Sequence, residues 1–232
     1  MPHKSYPGEL LVGVDHAPPV PLCFGLPGTP DFRGFEVDLL HDLAARLGVM
    51  LRFTSALWST ILAKLQAGGI DLICTAATIT DERRRSVDFS DPYFESDLAV
   101  VTRLDHPIAE PSQIARRRVG VRVATVAEDF VRRRCPPENI ETFDLNVHIY
   151  EALSQARVDA VVDDRPIASH FARSTTALSL GPRLPGTGFQ YGIVLAKGND
   201  RLRLAVNGAL AGMRRDGSLA QLNRLWFEES AG

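Results

Sequence analysis

The 232-residue sequence predicts an α/β fold laid out as two successive series of strands and helices. Short apolar runs rich in Val, Ile and Leu alternate with segments of helical period. The register changes after residue 103 and a second alternating series starts near 118. A last strand and two helices at the C-terminus are placed to complete the first series.

Leu10–Asp15 (LLVGVD) reads as the first strand, running into a loop rich in Pro and Gly between Pro18 and Pro30. Gly34–Leu47 reads as a helix, because Val37, Leu40, Leu43, Ala44 and Leu47 share one face and Gly48 follows as a C-terminal cap. Met50–Thr54 is the second strand, Ser59–Gln66 the second helix, closed by Gly68-Gly69, and Ile70–Thr75 the third strand. Asp97–Arg103 is a further strand. In the second series Arg118–Val123 and Val158–Asp163 read as strands. Between them Thr125–Arg134 reads as a helix, with Thr125 and Glu128 spaced as a capping box. Tyr191–Lys197 is a strand, and Leu202–Arg214 and Ser218–Phe227 are the closing helices. No repeat or low-complexity segment is visible.

Bulk properties exclude several classes. Hydrophobic residues are 45% and charged residues 23%, with a formal net charge of -2, as in soluble globular proteins. The arginine triplets at 83–85, 116–118 and 132–134 are short and have acids nearby, so they read as solvated faces and no nucleic acid is expected as a partner. No apolar run approaches a membrane span, and the N-terminus lacks the apolar core of a secretory signal. Cys23, Cys74 and Cys135 are an odd number without a CxxC pair, which leaves at least one thiol free. There is no HExxH pair, no GxSxG elbow and neither glycine-rich phosphate motif, so no metal, cofactor or catalytic nucleophile is expected.

Parallel sheets place ligands at the carboxyl ends of their strands, here the loops starting at Asp15, Thr75, Val123 and Asp163. After the third strand the chain reads Thr75-Ala76-Ala77-Thr78-Ile79-Thr80-Asp81-Glu82-Arg83. Small residues admit a ligand to the backbone, the hydroxyls of Thr75 and Thr78 are short-range donors, and the planar fork of Arg83 suits a carboxylate. A Thr80 N-cap followed by a surface arginine fits the same residues. Asp163-Asp164 at a strand end fits either cation binding or helix capping, and Asp15 is a loop acid of the same kind. Trp58 is either a ligand platform or a core residue. Thr125 can cap a helix and bind an anion at once.

Ordered blocks spanning nearly the whole chain resemble the extracytoplasmic solute-binding proteins of polar amino-acid ABC transporters. They are GFEVDLLHDLAARLG, WSTILAKLQAGGIDLICTAATITDERRRSVDFSDPY, RVGVRVAT, ALSQARVDAVVDD, and the pair YGIVLAKGND and VNGALAGMRRDGSLAQLNRLWF. The resemblance implies a two-lobed type II periplasmic-binding-protein fold, each lobe a mostly parallel sheet flanked by helices, with the ligand cleft between lobes. Lobe one is expected to be 1–103 plus 190–232 and lobe two 104–189, with hinges near 102–104 and 189–191.

The resemblance also implies residue roles. Arg83 holds a ligand α-carboxylate, Ala76 offers backbone groups, and Thr75 and Thr78 add backbone or hydroxyl contacts. Thr125 reaches the same carboxylate, Asp164 accepts from the α-ammonium, and Trp58 stacks on the ligand. Asp15 and Arg122 fall where side-chain selectivity is often set, and Asp163 is adjacent to that region. Two departures bear on ligand identity: Ala124-Thr125-Val126 stands where relatives carry G-T-T or G-T-G, and Pro18 stands where an aromatic is usual, with Phe24 placed to supply the ring. The implied protein is a monomeric, non-enzymatic, periplasmic or extracytoplasmic binder of a free polar or charged amino acid. It works with a membrane permease, its signal or anchor missing from the sequence given. A receptor-kinase sensor domain and a cyclohexadienyl dehydratase-like enzyme are the alternatives; for the enzyme, Asp163 is the one candidate acid.

Overall fold

The computed structural model describes residues 8–228. The chain opens with β1 (Glu9–Asp15), α1 (Phe35–Leu47), β2 (Met50–Ala56), α2 (Trp58–Gln66) and β3 (Leu72–Ile73). A short helix α3 (Asp81–Arg84) leads to β4 (Val87–Phe89) and β5 (Phe94–Ser96). The second series is β6 (Leu98–Arg103), β7 (Val119–Arg122), α4 (Val126–Arg132), β8 (Ile140–Phe143), α5 (Asn146–Ser154), β9 (Ala160–Asp164), α6 (Arg165–Arg173) and β10 (Leu178–Arg183). The chain ends with β11 (Phe189–Tyr191), β12 (Val194–Ala196), α7 (Asp200–Asp216), α8 (Ser218–Asn223) and a π-helical turn over Arg224–Glu228.

Two compact units result, Met1–Glu95 with Gln190–Gly232, and Ser96–Phe189. The first boundary corrects the expected division at 103/104. β6 pairs antiparallel with β9 and β10, so its hydrogen bonds place it in the second unit's sheet.

The first unit's sheet has the order β2-β1-β3-β12-β4, with β1 parallel to β2 and β3 and β12 antiparallel to β3 and β4. The second has the order β10-β6-β9-β7-β8, with β7 parallel to β8 and β9. The strand order reverses at β1 in one sheet and at β7 in the other, and such switch points open a crevice at the strands' carboxyl ends.

The second sheet is covered on both faces, which explains the unbroken apolar run of β6. Leu98 and Val100 cluster with Phe130 and Val131 of α4, while Ala99 and Val101 cluster with Ile149 and Leu153 of α5 and Ala168 of α6. That alternation is the strand's period of two, read against helices on each side. In the first unit Leu10, Val12 and Val14 of β1 and Leu39, Leu40 and Leu43 of α1 are buried. Each such side chain contributes roughly 1.5–3 kcal/mol of burial.

Local boundaries follow local chemistry. Gly34 precedes α1 at φ 146, and a Cβ there would lie 2.4 Å from the Leu22 carbonyl oxygen, so only glycine fits. β3 stops at Ile73, short of the expected Thr75; the Cys74 amide still bonds the Gly13 carbonyl at 3.2 Å, and the chain then turns through left-handed backbone at Ala76 (φ 49). The single strand expected over Tyr191–Lys197 is split between β11 and β12. The break falls at Gly192, whose backbone lies against Ile79 and Phe89.

Candidate ligand-binding site

In the first unit the residues after β1 and β3 are tied together. The Asp15 amide donates to the Thr75 hydroxyl at 3.1 Å, and the Ala17 amide donates to the Asp15 carboxylate at 3.0 Å. Asp15, Thr75 and Thr78 are all buried. The Ala76 amide donates to Glu36 Oε1 at 2.6 Å, so the backbone group Ala76 has left to offer a ligand is its carbonyl. Beyond it the segment docks on the returning chain: Gly192 N–H donates to the Ala77 carbonyl at 3.1 Å, and Ile79 N–H to the Gln190 carbonyl at 2.9 Å.

The helix-capping reading of the Thr80–Arg83 turn holds. Thr80 caps α3 by accepting from the Arg83 amide at 3.1 Å. The Arg83 side chain folds back, donating from one terminal nitrogen to the Thr78 carbonyl at 2.8 Å. Its guanidinium carbon lies 4.7 Å from the centroid of the Trp58 ring. Trp58 is itself 8% exposed and packs with Ile61, Ile73 and Ala77. Its ring is held in this cluster and carries Arg83, a contact that neither the ligand-platform nor the core-packing reading of Trp58 included. Phe24 is half-buried, its backbone bridged to Arg33 and its ring 6.1 Å from that of Trp226.

In the second unit the candidates gather at the ends of β7 and β9. The Asp163 carboxylate accepts from the Tyr150 hydroxyl at 3.1 Å, from Asn146 Nδ2 at 3.3 Å and from the Asp164 amide at 2.8 Å. Burial and the neighbouring Asp164 push its pKa up to about 7, against the pull of the Asp164 amide, the Tyr150 hydroxyl and Arg122. Arg122 is buried and donates from Nε to the Asp144 carbonyl at 3.1 Å. Asp164 stands at the N-cap of α6 without a capping hydrogen bond from its side chain.

The Thr125 hydroxyl donates to the Arg122 carbonyl at 2.7 Å and accepts from the Glu128 amide at 3.2 Å. Its one proton is engaged, so a carboxylate contact from Thr125 falls to its backbone rather than its hydroxyl. The capping box forms in altered shape: the Glu128 carboxylate accepts from Ala124 N–H at 2.7 Å, one residue before the cap.

Glu36, Tyr93, Asn146 and Tyr150 escaped the sequence reading. Glu36 lies four and seven residues before Leu40 and Leu43, on the buried stripe of α1. Asn146 has the same spacing to Tyr150 and Leu153 on α5. A polar residue in phase with an apolar stripe was the available signal.

Each unit thus carries its candidate residues at strand ends beside a switch point of its sheet, where α/β folds take their ligands. The family model of bacterial extracellular solute-binding proteins, family 3, matches residues 10–229, and the chain belongs to that family. It is 33% identical to the L-cystine-binding protein TcyJ of Escherichia coli (strain K12), over 95% of this chain and 83% of that protein. It is 27% identical to the ABC transporter glutamine-binding protein GlnH of Bacillus subtilis (strain 168), over 89% of this chain and 77% of that protein. Among solved structures it resembles an ancestral arginine-binding protein bound to glutamine. The TM-score is 0.87 and the identity 32%, covering 96% of this chain and 99% of that one.

Proposed function

We propose that this protein is the substrate-binding component of an amino-acid ABC transporter and captures one free α-amino acid by closing on it. The observation that carries the reading is the preset Arg83 fork, supported by Trp58 and Thr78 beside the Thr75–Thr78 loop. A guanidinium held in place loses less entropy on meeting a carboxylate than a free one does.

An α-amino acid is a zwitterion and needs a cation and an anion together. Arg83 in one unit holds the α-carboxylate and Asp164 in the other accepts from the α-ammonium. The ligand therefore favours the state in which both reach it. Thr75, Thr78 and the Ala76 carbonyl add polar contacts, as does the Thr125 backbone. Asp15, Arg122, Asp163 and Phe24 set the side-chain preference toward a polar or charged amino acid. The relatives bind cystine, glutamine, histidine and arginine, which share the α-amino-acid head group and little else. The protein works outside the cytoplasm as a monomer, delivers its ligand to a membrane permease, and performs no chemistry on it.

Isothermal titration of the purified protein with the twenty amino acids and cystine tests this. One-site binding by at least one of them is expected, and its loss in Arg83→Ala. Absence of binding by all of them, or release of a chemically altered product, overturns it.

A further inference from the structure

Glu36 lies in the first turn of α1, and its carboxylate is fully enclosed at 1% exposure. Oε1 accepts both the Ala76 amide and the Tyr93 hydroxyl, while Oε2 is buried with no hydrogen-bond partner among the described residues. A half-satisfied buried carboxyl costs stability, and an apolar side chain of similar size would pack there at lower cost. Its placement suits another task.

The bond to Ala76 points to that task. Ala76 is left-handed at φ 49, a conformation that a residue with a Cβ disfavours. In a trans peptide the N–H and the preceding C=O point opposite ways, so fixing the Ala76 N–H on Glu36 turns the Thr75 carbonyl away from α1. Thr75 is fixed from the other side by the Asp15 amide, and Ala77 and Ile79 by the returning strand. Glu36 is the hold on the residue between. The second unit repeats the device after β7: Ala124 is left-handed at φ 59, and its amide donates to Glu128.

We infer that Glu36 is a positioning residue for ligand capture, holding the 75–76 peptide in the one orientation in which the Thr75–Thr78 loop meets the ligand. This rests on the amino-acid-binding reading above for its functional half and on the fold alone for its conformational half.

Two measurements test the halves separately. In ligand-free protein, amide NMR should show the Thr75–Thr78 signals displaced and exchange at the Ala76 amide accelerated in Glu36→Leu. Both should stay near wild type in Glu36→Gln, whose carbonyl still accepts. Leu43→Ala, a core truncation on the same helix, should lose stability and leave those signals in place. With the amino acid the wild type binds, the dissociation constant should rise at least tenfold in Glu36→Leu and change less than threefold in Glu36→Gln and Leu43→Ala. Unchanged loop signals in Glu36→Leu, or an equal loss of affinity in Leu43→Ala, would overturn the inference. If the wild type binds no amino acid, the binding reading fails, and the NMR comparison still decides what Glu36 holds.

Discussion

The guanidinium of Arg83 rests on the indole of Trp58, 4.7 Å from the ring centroid, while donating to the Thr78 carbonyl at 2.8 Å. An aromatic face and a carbonyl oxygen together fix both the plane and the rotation of the fork. Its rigidity is therefore built within the first unit, and the two partners make separable contributions.

Replacing Arg83 with Ala leaves a bound carboxylate without its cation. The loss should be about 3–5 kcal/mol, a hundredfold or more in affinity. Arg83 is only half-buried, so thermal stability should barely move. Calorimetry and a melting curve on the same sample check both.

Trp58→Leu should behave in the opposite proportion. Removing a buried aromatic from the Ile61–Ile73 cluster should cost a few kcal/mol of stability, below the 3–5 typical of truncation to Ala. The lost cation–π contact should weaken binding by only about 0.5–2 kcal/mol. An affinity loss equal to that of Arg83→Ala would mean that Trp58 meets the ligand itself.

Stability should fall as pH rises from about 4.5 to 7. Burial pushes the Glu36 carboxyl up to about 7, opposed by its bonds to Tyr93 and Ala76, and burial with Asp164 nearby does the same for Asp163. The unfolded chain releases these protons near 4, so between the two values the folded state holds protons that the unfolded state has lost. Each group then costs on the order of 3 kcal/mol by the time pH reaches 7, and nothing further above it. Urea midpoints at pH 5 and pH 8 should differ accordingly, and Glu36→Gln or Asp163→Asn should each remove part of the difference. Asp216 works in the opposite direction. The Ser218 amide and Arg46 hold it down at about 2, so its contribution disappears only in stronger acid.

Ala156 is exposed and left-handed at φ 58, just past the end of α5, where Arg157 N–H reaches back to the Ala152 carbonyl at 2.9 Å. Glycine suits that position. Ala156→Gly should stabilise by up to about 1 kcal/mol, a rise of roughly 2–4 °C in Tm, with unchanged ligand affinity.

The strands and helices with strong periodicity were legible in the sequence. α1 was visible because Leu40, Leu43 and Leu47 keep its phase, and β1 because an apolar run ends at a loop acid. The boundary between units was not. The residues of β6 read equally well as a strand of either sheet, and only pairing with β9 and β10 assigns them. Arg83 was singled out by its place in a dense local motif. The contact of Trp58 with Arg83 was not, because it depends on Trp58 being set among Ile61, Ile73 and Ala77 by the fold. Glu36 stood in plain view on an apolar stripe, but its partners Ala76 and Tyr93 lie far along the chain.

The central claim is that a preset arginine in an amino-acid-binding fold grips an α-carboxylate. Titrating wild type and Arg83→Ala with the best-bound amino acid, and wild type again with the same compound as its α-carboxamide, tests it most directly. The account predicts one-site binding of the amino acid by wild type and a loss of at least about a hundredfold in each of the other two titrations. Equal affinity for acid and carboxamide, or an Arg83→Ala protein that binds like wild type, would contradict it.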